Sequence, residues 1–168
     1  MNVIRKHIGL SSTNEEYVPC AEDYMTAYMN QDSVKKAIHV NTNIEWSDCS
    51  MTLRYKTADR HDDQTPLYNY LIDGPYDLNI LVVSGDDDSV CATIGTQNWI
   101  WDLGYEVKGR PWQTYKVNGQ TGGYLTQWKN TKMAFATVHN AGHEVPTYQP
   151  EVAYYLWENY LKGALTDC

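Results

Sequence analysis

Two short apolar runs set what this chain can fold into. Asn79 to Ser84 is a continuous hydrophobic stretch with β-branched residues, and Met133 to Val138 is a second. Runs of this length, bounded by turn residues, suit strands buried on both faces, as in a parallel sheet. Each run leads into a polar turn. The first ends in Gly85-Asp86-Asp87-Asp88 and the second leads to Ala141-Gly142-His143-Glu144-Val145-Pro146. In open α/β sheets, functional groups sit just past the C-terminal ends of the strands. Asp88 and His143 both hold such places.

The remaining patterns supply helices and a hairpin. Ala21 to Met29 and Ser33 to Ile38 read as short helices, the second capped by Asp32 or Ser33. Pro66 to Ile72 reads as a third helix, and Thr93 to Leu103 as a fourth that stops at Gly104. Pro111 to Val117 and Tyr124 to Trp128 read as a hairpin around the glycine-rich stretch Asn118 to Gly123. Pro150 to Leu161 is a strong terminal helix, with Pro in its first turn and Gly163 behind it. Strand, helix, hairpin, strand, loop, helix is α/β order. Only two or three strands of a parallel sheet are visible. So thin a sheet would expose its edges, so further strands are expected on residues outside this chain.

Composition removes several functions. The net charge of -8 argues against a nucleic-acid partner, which requires a basic patch. No apolar run approaches the ~18 residues of a membrane span. Residues 1–10 carry Arg5, Lys6 and His7 and no apolar stretch of ~7–15 residues, so they do not read as a secretory signal. Cys20, Cys49, Cys91 and Cys168 match no zinc spacing. They allow three pairings if all are joined, and both disulfides and free buried thiols stay open.

The chemistry concentrates at Asp88 and His143. An Asp followed by a His, each past a strand, is the late part of the chain order Ser…Asp…His. A Ser hydroxyl is a poor nucleophile until a neutral imidazole takes its proton, and a buried carboxylate holds that imidazole in the right tautomer. Gly142 permits a tight turn before His143, and Pro146 stiffens the turn behind it. No Gly-x-Ser-x-Gly elbow occurs in these 168 residues. His7, His39, His61 and His139 read as hydrogen-bonded loop residues. The three consecutive aspartates lack the alternating ligands of a calcium loop, so neither a metal nor a cofactor is expected. Trp112 and Trp128 are expected in core or hairpin packing.

Longer strings carry a resemblance. Ile80-Leu81-Val82-Val83-Ser84-Gly85-Asp86-x-Asp88-x-Val90-Cys91, Arg110-Pro111-Trp112, Gly122-Gly123-Tyr124, Phe135 through Pro146, and Gln149-Pro150 together resemble the C-terminal half of the serine carboxypeptidases. Pro19-Cys20, Tyr28-Met29-Asn30 and Trp46-Ser47-Asp48-Cys49-Ser50 extend the likeness, which runs from about residue 18 to about residue 162. It implies the C-terminal part of an α/β-hydrolase fold, incomplete without its N-terminal half. Residues 1–60 would belong to the insertion or helical region and connecting segment, and 61–168 to the C-terminal section of the hydrolase domain. It implies cleavage of the last residue from peptides with a free C-terminus, Asp88 as triad acid and His143 as base. Asp86 and Asp87 would then be turn or solvent groups. Val90 and Cys91 would line the pocket, and Glu144 would border the site of the leaving amino acid. The partner would be the N-terminal half carrying the Ser, joined by disulfides from Cys20 and Cys49. Such an enzyme would be secreted, vacuolar or lysosomal. An inert truncated fragment, a binding pseudoenzyme, or an esterase or acyltransferase on the same scaffold are the alternatives.

Overall fold

The computed structural model describes residues 21–50, 52–54, 56 and 62–165. The chain divides into two compact units, Met1–Asp62 and Asp63–Cys168. In the first, α1 (Ala21–Met29) and α2 (Asp32–Ala37) are joined by a two-residue turn. Asn30 fastens the segment that follows: its amide donates to the Trp46 carbonyl at 2.9 Å and its oxygen accepts from the Trp46 N–H at 2.8 Å. Lys35 is buried, and its ammonium donates to the Ile44 carbonyl at 2.6 Å. The expected cap of α2 is not used. Gln31 sits at the N-cap without a side-chain bond, and Asp32 is the first helical residue, where its charge meets the positive end of the helix.

The second unit is built on one sheet. Its elements are α3 (Thr65–Asp73), β1 (Ile80–Gly85), α4 (Thr93–Asp102), β2 (Gln113–Val117), β3 (Gln120–Gln127), β4 (Met133–Val138), α5 (Val145–Tyr148) and α6 (Pro150–Leu161). The strands lie in the order β1-β4-β3-β2. Only β1 and β4 are parallel; β4 with β3 and β3 with β2 are antiparallel. The two apolar runs thus pair in parallel, as expected, and the hairpin joins directly to β4, which makes the sheet mixed.

Every residue of β4 is buried, as a run apolar at all positions but Thr137 requires. Successive side chains point to opposite faces, and two cores result. Ala134, Ala136 and Val138 pack with Leu156 of α6 and with Leu81. Met133 and Phe135 pack on the other face with Ile100 and Leu103, Trp128, and Tyr68 and Ile72 of α3. Helices thus cover both faces. Trp128 is fully buried and Trp112 stacks on Trp101, so both tryptophans serve packing, as expected. Helix α6 ends as its sequence suggests. Gly163 takes φ +72°, its N–H reaches the Tyr160 carbonyl, and the Ala164 N–H reaches that of Asn159, the paired closure of a Schellman motif.

The hairpin is tighter than expected. Only Asn118 and Gly119 form its turn, with φ of 50° and 80°. That is the type I′ pattern whose twist matches the flanking strands. Gly122 and Gly123 lie in β3 rather than in a loop. A Cβ on Gly122 would stand 2.5 Å from the Tyr115 ring, and one on Gly123 would stand 1.9 Å from the Thr137 carbonyl oxygen. The glycines make room for Tyr115, whose hydroxyl donates to the Thr137 carbonyl at 2.8 Å. Gly123→Ala should therefore cost at least about 1–3 kcal/mol from backbone strain alone. Gly95→Ala, on α4 with open space around it, should be neutral or stabilise by about 0.4–1 kcal/mol. Thermal denaturation of both variants tests the assignment; equal melting temperatures would remove the close approach.

Candidate active site

The two parallel strands end side by side, with Ser84 opposite Thr137 and Gly85 opposite Val138. The loops that follow are then stitched together. The Asp86 N–H donates to the Val138 carbonyl and the Asp87 N–H to the Ala141 carbonyl, both at 3.0 Å. Gly85 permits this crossing, since a Cβ there would lie 2.2 Å from the Ala141 oxygen and 2.5 Å from the Gly142 oxygen. Glycine at 85 is thus required by space rather than by its φ angle.

This crossing places His143 over Asp88. The Asp88 Oδ2 meets His143 Nδ1 at 3.0 Å. The other oxygen, Oδ1, accepts the N–H groups of Val90 at 2.7 Å and Cys91 at 2.9 Å. The Asp88 side chain is only 5% exposed, while that of His143 is 53% exposed. The Cys91 N–H does most to hold the Asp88 carboxyl below its ordinary value, against desolvation; His143 and the Val90 N–H add to the lowering. Charge is thus stabilised on Asp88 by donors built into its own loop. Because the value is lowered on folding, this contribution is present above the ordinary carboxylate range and is lost as pH falls through the lowered value.

The other expected site residues surround this pair unevenly. Val90 and Cys91 are exposed beside Asp88, and Cys91 is a free thiol. Glu144 is exposed and follows His143 at the start of α5, but its Oε2 accepts from the Thr147 hydroxyl at 3.2 Å. Gly142 carries the Tyr148 ring against it. Cys49 is an exposed free thiol in the first unit, and Cys20 lies outside the described residues. One donor atom each from Asp88, Cys91 and His143 lies within 4.8 Å of the others, a trio that could hold a metal ion.

Asp86 lies in the turn after β1, as expected, and its side chain also bonds the loop after β4. Its Oδ2 meets His139 Nδ1 at 2.6 Å and its Oδ1 accepts the Asn140 N–H at 2.8 Å. His139 is thus a hydrogen-bonded loop residue, as its sequence setting suggests. Nothing local in the sequence marks Asp86 for this task, because its partners lie 53 and 54 residues away. Asp86 raises the His139 imidazole above its ordinary value, through the hydrogen bond first and its charge second, with a smaller push from Asp87.

A raised histidine contributes stability below its unfolded value, and that contribution disappears as pH rises through the folded one. The melting-temperature difference between wild type and His139→Gln should therefore be largest below about pH 6.5 and shrink in mildly alkaline solution. A difference independent of pH would remove charge from the pair.

Known proteins resemble this chain over most of its length. The family model described as serine carboxypeptidase matches residues 4–163. Serine carboxypeptidase-like 25 of Arabidopsis thaliana is 35% identical over 165 residues, covering 96% of this chain and 32% of that protein. Serine carboxypeptidase 24 of the same plant is 35% identical over 150 residues, covering 88% and 31%. Among solved structures, Kex1(Δ)p, a prohormone-processing carboxypeptidase from Saccharomyces cerevisiae, superposes with a TM-score of 0.65 at 18% identity, over 86% of this chain and 32% of that one. The fold is therefore part of an α/β-hydrolase fold, and the chain spans about a third of the length of the relatives it matches. The chain belongs to the serine carboxypeptidase family.

Proposed function

We infer that this chain is the acid-and-base section of a serine carboxypeptidase. The Asp88–His143 contact carries the reading. A carboxylate on Nδ1 leaves Nε2 as the nitrogen free to take a proton from a nucleophile, and the half-exposed ring stands where a second group can reach it. In this reading Asp88 fixes the tautomer and stabilises the imidazolium, and His143 is general base and then general acid. The Ser nucleophile and the oxyanion donors come from the N-terminal section of the same enzyme, and the substrate is a peptide with a free C-terminus. Residues 61–168 serve as the C-terminal section of the hydrolase domain, and 1–60 as part of its insertion region and connecting segment.

The same reading gives roles to the flanking groups. Val90 and Cys91, exposed beside Asp88, border the scissile bond, and Glu144 borders the leaving amino acid. Cys20 and Cys49 bridge to the N-terminal section, which places the enzyme in an oxidising compartment, outside the cell or in a vacuole or lysosome. The support is the exposure of Cys49 and the family membership of the chain.

Three outcomes follow. In the complete enzyme, Asp88→Asn should lower kcat by about 10⁴ with the fold intact, because the amide favours the wrong tautomer; near-normal turnover would end the assignment. This chain alone should neither hydrolyse a blocked dipeptide nor react with a serine-directed phosphonate, and stoichiometric labelling of it would place the nucleophile here instead. Peptide mapping of the complete protein without reductant should find Cys20 and Cys49 joined to cysteines outside residues 1–168; a Cys20–Cys49 bridge would refute the cross-link.

A further inference from the structure

We propose that Asp88, Cys91 and His143 form a binding site for Zn²⁺. The three donors are a carboxylate, a thiol and an imidazole, all within 4.8 Å of one another. Donors bound to one tetrahedral Zn²⁺ through bonds of about 2.0–2.3 Å lie about 3.3–3.8 Å apart. Closing the cluster takes at most about 1.5 Å, which rotation of the exposed Cys91 side chain supplies. One sulfur, one nitrogen and one oxygen form a borderline-soft set. It suits Zn²⁺ and excludes Mg²⁺ and Ca²⁺, which require oxygen ligands.

The pocket is prepared on one side and open on the other. The buried Asp88 side chain is held through Oδ1 by the Val90 and Cys91 N–H groups, which leaves Oδ2 aimed at the cluster. Such outer bonds fix the orientation of a ligating carboxylate. His143 and Cys91 face solvent, giving the ion an entry path and a water molecule as fourth ligand. On binding, the Cys91 thiol gives its proton to solvent and its thiolate bonds the ion. The Nδ1–Oδ2 hydrogen bond is exchanged for two metal bonds, and the imidazole proton resides on Nε2. One proton is released per ion.

A proton on Nε2 cannot be replaced by one from a serine. Resting on the proposed function, Zn²⁺ is therefore an inhibitor of this enzyme and not its cofactor. The binding claim itself concerns this chain alone. It departs from the expectation of no metal, which came from the sequence spacing of the aspartates and of the cysteines; neither spacing reveals Cys91 beside His143.

The test is titration of the full 168-residue chain with Co²⁺ and then Zn²⁺. Expected is a thiolate-to-cobalt charge-transfer band with the intense visible bands of a four-coordinate ion, abolished by one equivalent of Zn²⁺. Cys91→Ser should remove the charge-transfer band and weaken Zn²⁺ binding by roughly a hundredfold or more, at least the loss seen for outer-shell groups. His143→Gln should keep the band and weaken Zn²⁺ binding similarly, and Cys49→Ser should change neither. Persistence of the band in Cys91→Ser, unaltered affinity in His143→Gln, or absence of the band in wild type overturns the site. Failure of the triad reading would instead appear as full turnover of Asp88→Asn in the complete enzyme, with the cobalt spectra untouched.

Discussion

The absence of one side chain, at Gly85, governs this structure. The backbone of Ala141 and Gly142 crosses the end of β1 so closely that a methyl group would meet two carbonyl oxygens at once. No rotamer change relieves a clash between a Cβ and main chain. The loop after β4 would have to lift, and the N–H bonds from Asp86 and Asp87 would lengthen or break. His143 would then leave Asp88. The sheet brings the two strands together, but the 3.0 Å contact between acid and base depends on the closeness of this crossing.

The run of three aspartates shows how chemically identical neighbours are assigned different work. Asp86 faces the loop after β4 and fastens it through His139 and Asn140. Asp87 contributes its main-chain N–H to that same loop. Asp88 turns back into its own turn and is almost buried. Adjacent like charges repel, yet each fastened carboxylate has its own compensation: an imidazole for Asp86 and two N–H groups plus an imidazole for Asp88. The acid that meets His143 is held by its own loop, so its orientation does not wait upon substrate.

The sequence was most legible where one residue type answers one local demand. The apolar run of β4 announced burial on both faces, and the turns after β1 and β4 announced Asp88 and His143. Helix α6 was bounded by Pro150 and Gly163, whose backbone limits are intrinsic. Legibility failed where the demand came from afar. Gly122 and Gly123 look like loop glycines, yet they lie in a strand because Tyr115 and the Thr137 carbonyl occupy the space a Cβ would need. Asp86 looks like a solvent group because its partners sit on another strand's loop. Cys91 was placed near the site only through the likeness of strings, and its closeness to His143 emerges only from folding.

The Asp88–His143 contact joins residues 55 positions apart in sequence. Closing so long a loop carries an entropic cost that no local helix or turn repays, and parallel pairing is among the slower events in folding. The hairpin of β2 and β3 can form from its own neighbourhood, whereas the acid and base can meet only after β1 has found β4. The dyad is therefore an endpoint of sheet assembly. A chain arrested with its hairpin and helices in place would hold every residue of the site and none of its geometry.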